Sequence, residues 1–184
     1  KIDFPLAIPS ANQSSGISPV TAIDVAEEFN RKIKMIVDGG NSKIGIESTV
    51  IDLTGKLKIL RPGAISPTEI SKNLNKKITF IKKNKLIKSP GNLRKHYSPN
   101  IPMKLNYKYS LTKHAFIIFG NKFKASKNTF NLSKKGSLKE AASNLYKVFR
   151  KIKKLKYKKI YVVKIPNKNI GLAINDRLKH AANI

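Results

Sequence analysis

Short apolar runs broken by turn residues mark the first eighty positions. PLAI, at residues 5–8, reads as the end of a buried strand and is closed by the polar turn PSANQSSG. Ser18-Pro19 predicts a helix over 18–29, with Ser18 as N-cap and Pro19 at the first helical position. Val20, Ile23, Val25, Ala26 and Phe29 are available for its buried side. KMIVDGG reads as a strand that stops at paired glycines, and ESTVIDL, the turn TGK and LKILRPGA read as a hairpin. SPTEI opens a second helix, because Ser66 and Glu69 stand at capping-box spacing with Pro67 in the first turn.

From 81 to 103 the chain is lysine-rich and punctuated by proline, without sustained periodicity, which predicts a linker. A second α/β unit follows over 104–184. HAFIIFG is a buried strand, and 137–155 is an amphipathic helix with Ser137 and Glu140 at capping-box spacing. Leu138, Ala142, Leu145, Phe149, Ile152 and Leu155 recur on its apolar face. KIYVVKI is another strand and IGLAINDRLKHAA a final helix. Strand, helix, strand, helix in this order implies a parallel sheet with right-handed crossovers.

Composition narrows the function. The chain has 184 residues, of which 40% are apolar, enough to build real cores. No apolar run approaches the ~20 residues needed to cross a bilayer, and no leader pattern opens the chain, so a cytoplasmic location is expected. Without cysteine there is no disulfide framework and no thiolate zinc site, and three separated histidines, His96, His114 and His180, make a poor metal cluster. The net charge of +28 suggests a polyanion partner such as RNA. Because 33 of the 38 basic residues are Lys, lysine spread over solvated faces is the plainer explanation, and the five arginines carry more information.

Four stretches hold candidate chemistry. IPSANQSSGISP brings hydroxyls, an asparagine and a helix start to a strand end, which suits an anion; a surface loop with capped turns is the competing reading. In GIESTVIDL, period 2 sets Ser48 and Val50 on one face and Thr49 and Ile51 on the other. Glu47 and Asp52 then lie on opposite faces and make no acid/base pair. Arg61, followed by Pro-Gly, presents a planar fork suited to phosphate or carboxylate. SPGNLRKHYSPN, residues 89–100, holds Arg94, His96 and Tyr97 on a proline-stiffened segment, offering a charge, a switchable donor and a stacking face.

Taken together, PSANQSSGISP, VDGG with GIESTVIDL, LRPGAIS, SPGNLRKHYSPN and IGLAINDRL, in this order and spacing, resemble the long form of the threonylcarbamoyl-AMP synthase family. The resemblance implies an α/β fold: the C-terminal half of an open, twisted YrdC-like sheet over 1–80, a linker and active-site lid over 81–103, and a small Rossmann-like domain over 104–184. It implies an enzyme that joins L-threonine, bicarbonate and ATP into threonylcarbamoyl-AMP and pyrophosphate, for threonylcarbamoyladenosine modification of tRNA. Ser10, Asn12, Ser18, Arg61, His96 and Tyr97 would then serve ATP, and Ile8, Ser48 and Thr49 would serve threonine. Mg2+ would accompany the nucleotide, held by phosphate oxygens rather than a protein cage. The family's lysine and arginine motif near the start of its catalytic domain does not appear in the chain, so little activity is expected of these 184 residues alone. A basic double-stranded RNA- or tRNA-binding module of the same fold without synthase activity is the alternative. A related carbamoyl-transfer enzyme is disfavoured by the linker and the last helix.

Overall fold

A computed structural model describes residues 3–30, 32–80, 97–109 and 111–182. The chain orders as α1 (Ala22–Phe29), β1 (Val50–Asp52), β2 (Lys58–Arg61), α2 (Pro67–Leu74), β3 (Thr79–Phe80), β4 (Met103–Lys104), β5 (Ala115–Ile118), β6 (Thr129–Asn131), α3 (Leu138–Lys154), β7 (Ile160–Val162) and α4 (Gly171–Ala182). A three-stranded sheet runs β1-β2-β3, with the expected antiparallel hairpin between β1 and β2 and a parallel pairing of β2 with β3. A four-stranded sheet runs β4-β7-β5-β6, and every pairing in it is parallel, as the alternation of strand and helix signals predicts.

The second sheet carries the core. Phe116 and Ile117 of β5, Ile160 and Val162 of β7, and Leu145, Tyr146, Phe149 and Ile152 of α3 are fully buried. The helical periodicity of α3 held except at its end, where Leu155 is the C-cap and 54% exposed. Ile17 and Val20 join this same core, so the opening stretch of the chain is packed against the second unit. By contrast neither α1 nor α2 buries a residue fully, and Ile23 of α1 is exposed.

Three local expectations are corrected. Residues 5–8 and 34–40 form no strand; Leu6, Ile8, Met35 and Val37 are exposed, and an apolar run becomes a strand only when a neighbouring strand satisfies its backbone. Helix α1 begins at Ala22, and Thr21 is its N-cap in a reciprocal box with Asp24. Ser18 is drawn out of the capping role because its hydroxyl donates to Glu47 at 2.5 Å. At α3 the spacing yields half a box: Ser137 accepts from the Glu140 amide, while the Glu140 carboxylate turns to the Ser133 hydroxyl. Strand β6 has only three residues and went unpredicted because so short a run shows no period.

The box at α2 is complete. Ser66, buried to 2% exposure, accepts from the Glu69 amide, and the Glu69 carboxylate accepts from the Ser66 amide. Ser66→Ala is expected to cost about 1 kcal/mol, read as a lower urea midpoint at unchanged slope.

Candidate active site

Two glycines let separate stretches approach closely enough to form a site. Gly45, with φ of +77°, lies against the backbone of Ser143 in α3, where a Cβ would come within 2.7 Å of the Ser143 Cα. That approach sets Glu47 beside Tyr146 of α3. Gly63 packs in the same way against the backbone of residues 47–49, joining the end of β2 to the approach to β1.

Glu47 is the hub. Its carboxylate accepts from the Ser18 hydroxyl at 2.5 Å, from the Tyr146 hydroxyl at 2.9 and 3.0 Å, and from Arg177 Nε at 2.8 Å. Arg177, on α4, is fully buried and also donates to the Pro62 carbonyl at 2.8 Å and to Asp176 at 2.7 Å. Its guanidinium lies 4.8 Å from the centre of the Tyr97 ring. Burial alone would raise the Glu47 pKa, but the charge of Arg177 and the hydrogen bonds from Ser18 and Arg177 outweigh it and hold the carboxyl below its ordinary 4.5. Burial, and then the neighbouring Glu47 charge, push the Tyr146 hydroxyl well above its ordinary range, so it remains a donor.

The candidate residues fall into two groups joined by this hub. Ser10 and Ser18 line a cleft of about 480 Å3, together with Gly40, Ser42, Glu47 and Tyr146. Beside it Arg61 donates to the Ser48 carbonyl at 3.1 Å and hydroxyl at 3.3 Å, and to the Tyr97 hydroxyl at 3.5 Å. Tyr97 is fully buried with a left-handed backbone, φ 59°, stacked at 6.1 Å on Tyr146 and edge-on to His180. Ser98 next to it donates through its hydroxyl to the Ala181 carbonyl and through its amide to Ser15, tying α4 to the opening loop. Tyr97 therefore serves as an anchor between units as well as a site neighbour.

Three candidates stand apart. Ile8 is 76% exposed. Asn12 donates to the Gln13 carbonyl, leaving its own buried carbonyl oxygen without a hydrogen-bond partner. Thr49 donates its hydroxyl to the Ile65 carbonyl at 2.7 Å, while Ser48 meets Arg61; both precede β1, so strand alternation does not set their directions. His96 and Arg94 lie outside the described residues. Glu47 and Arg177 were missed. Asp52, five residues on, is the acid nearest Glu47 in sequence, whereas the partners of Glu47 are 29, 99 and 130 positions away. The available signals were a carboxylate directly before Ser-Thr, and an arginine on the apolar face of the last helix.

Glu47 is the single carboxylate among the residues lining the cleft, and all its contacts are to protein donors. Among the described residues no group of three Asp, Glu, His or Cys is placed to hold a metal. No helix among the described residues is long and apolar enough to cross a membrane.

Comparison with known proteins identifies the family. The family described as "Threonylcarbamoyl-AMP synthase, C-terminal domain" matches residues 65–183, and one described as "Telomere recombination" matches residues 1–63. The threonylcarbamoyl-AMP synthase of Pyrococcus abyssi is 32% identical, over 97% of this chain and 58% of its own length. That of Bacillus subtilis is 30% identical, over 97% of this chain and 57% of its own. The crystal structure of P. abyssi Sua5 complexed with L-threonine superposes with a TM-score of 0.80 at 31% identity, covering 95% of this chain and 56% of that one. The chain thus spans somewhat over half the length of these relatives. With a parallel α/β architecture and a site assembled at the junction of the two matched regions, the chain belongs to the threonylcarbamoyl-AMP synthase family.

Proposed function

We propose that this chain takes part in making threonylcarbamoyl-AMP and pyrophosphate from L-threonine, bicarbonate and ATP, as a nucleotidyltransferase in the cytoplasm whose product feeds threonylcarbamoyladenosine modification of tRNA. The observation that supports this best is the convergence of two hydrogen-bonded sets, Ser18 with Glu47 and Arg177, and Ser48 with Arg61 and Tyr97, which meet where the Arg177 guanidinium packs on the Tyr97 ring. The L-threonine complex of the similar P. abyssi protein supports the same substrate.

In this reading the carbamate oxygen of N-carboxythreonine attacks the α-phosphorus of ATP. The new oxygen–phosphorus bond forms as the bond to the bridging oxygen breaks, and pyrophosphate leaves with the electron pair. The nucleophile already carries its charge, so no protein base is required. The chain's part is to orient the reactants and neutralise phosphate charge. Ser10 and Ser18 offer hydroxyls to the nucleotide, Arg61 its charged fork, and Ser48 a hydroxyl to threonine. Mg2+ supplies charge neutralisation on phosphate oxygens, outside any protein cage.

Calorimetric titration of the chain with ATP in the presence of threonine tests the assignment. Arg61→Ala is expected to weaken nucleotide binding about tenfold or more, as for loss of a charge-assisted hydrogen bond. Ser48→Ala is expected to weaken threonine by about fivefold with ATP less affected. Unchanged affinities in both variants would remove these residues from the site.

A further inference from the structure

The charge of this chain is not spread along it. Residues 1–69 contain eight basic and eight acidic side chains; residues 70–184 contain 30 basic and two acidic ones, Glu140 and Asp176. Both of those acids are engaged internally, Glu140 by Ser133 and Asp176 by Arg177. An even genomic preference for lysine would have charged both parts alike. Of the charged side chains in residues 70–184, 21 basic and both acidic ones lie in the second unit, 104–184.

That unit also carries a graded cluster of tilted aromatic rings beside its edge strand. Strand β4 is an edge strand, and the chain beyond it continues along β7, where the Tyr107 amide donates to the Val162 carbonyl. Tyr161 of β7 is buried, Tyr107 packs on it at 4.3 Å between ring centres, and Tyr109 packs on Tyr107 at 4.8 Å. Tyr109 is 60% exposed, while Tyr161 is 4% exposed, so the cluster climbs from the core into solvent. His114 flanks Tyr161 at 5.6 Å, and the Lys159 ammonium lies 5.5 Å from the same ring. Lys108 separates the two outer tyrosines in the chain and Lys113 precedes His114; both are exposed.

We propose that this tyrosine cluster and its lysine rim form a binding face for single-stranded nucleic acid, distinct from the cleft. An anchored ring with an exposed neighbour supplies a flat face on which an unpaired base stacks, and lysines beside it meet the adjoining phosphates. Both features together select unpaired nucleic acid over a lipid surface. A membrane site would want apolar side chains inserting between headgroups, where this edge presents tyrosine and lysine.

The test is fluorescence anisotropy of a labelled twelve-nucleotide oligouridylate titrated with the 184-residue chain across a salt series. Tyr109 is exposed, so its variants keep the fold. Tyr109→Ala is expected to weaken binding about tenfold, the loss of one stacked base, and Tyr109→Phe to stay within about twofold of the parent. Lys108→Ala is expected to flatten the dependence of affinity on salt by about 0.7 in log–log slope. The chain has no Trp, so quenching of tyrosine emission on binding reports stacking directly. Equal affinity of Tyr109→Ala and the parent overturns the proposal, as does equal binding of a blunt RNA duplex, or of phosphatidylserine vesicles with the same loss in Tyr109→Ala. Tyr109 is no part of the cleft, so either result leaves the synthase reading to its own titration.

Discussion

Arg177→Met is expected to destabilise the fold by about 3–5 kcal/mol, because it leaves the largely buried Glu47 carboxylate without its cation while methionine fills much of the same space. Asp176 and the Pro62 carbonyl lose donors in the same step. The size of the loss depends on pH, and its sign follows from Glu47. In the native protein this group titrates below 4.5, so its stabilising contribution is fully present above that pH and is lost as the pH falls through the native value. Without Arg177, burial remains and the lowering charge is gone; the Glu47 pKa rises and acid becomes less harmful to the variant. The stability gap between parent and Arg177→Met is therefore expected to narrow as the pH falls from the variant's raised Glu47 pKa towards the parent's lowered one. Urea unfolding of both proteins at pH 7 and pH 4 measures it. A gap that stays constant, or widens in acid, would show that the pair does not carry the effect. A double-mutant cycle with Glu47→Gln should give a coupling of about 1–3 kcal/mol.

Gly63→Ala is the second large effect, expected at about 3 kcal/mol. Its Cβ would fall inside the van der Waals envelopes of the Thr49 nitrogen, the Ser48 carbonyl carbon and the Glu47 oxygen. All three are backbone atoms, so no side-chain rotation relieves the overlap, and the end of β2 must separate from residues 47–49. That separation draws Arg61 away from Ser48, so threonine and nucleotide affinity should fall together, unlike in the Ser48→Ala variant. Gly55→Ala is the control: nothing lies within 4 Å of the added methyl and the backbone there is not left-handed. It should change the urea midpoint little, or raise it slightly. A parent-like midpoint and affinity for Gly63→Ala would mean that the close packing of these two segments is not needed.

The Arg177 and Gly63 variants act on the same junction, which explains why the second unit matters to the first. Arg177 and Tyr146 come from α4 and α3, yet they hold the carboxylate that orients Ser18, and Arg150 of α3 donates to the Ile17 carbonyl and to Glu28 of α1. The first unit has no fully buried residue in either of its helices, so its cleft is positioned by contacts with the second unit. A family likeness was legible from motifs in order, but this dependence was not, because no motif states which distant residue completes its hydrogen bonds.

What the chain alone determined were the features that depend on a few neighbouring residues. The capping residues of α2 and α3, the hairpin of β1 and β2, the buried strands β5 and β7 and the period of α3 follow from local sterics, backbone hydrogen bonding and burial. The tertiary structure decided where polar groups find partners. It moved the start of α1 from Ser18 to Thr21 by engaging Ser18 with Glu47, and left residues 5–8 and 34–40 out of any sheet. It also brought Glu47 and Arg177, 130 positions apart, together as a buried pair. The physical reason is common to all of these: a buried donor or charge must be satisfied wherever a partner can reach it, and that partner is chosen by folding rather than by position along the chain.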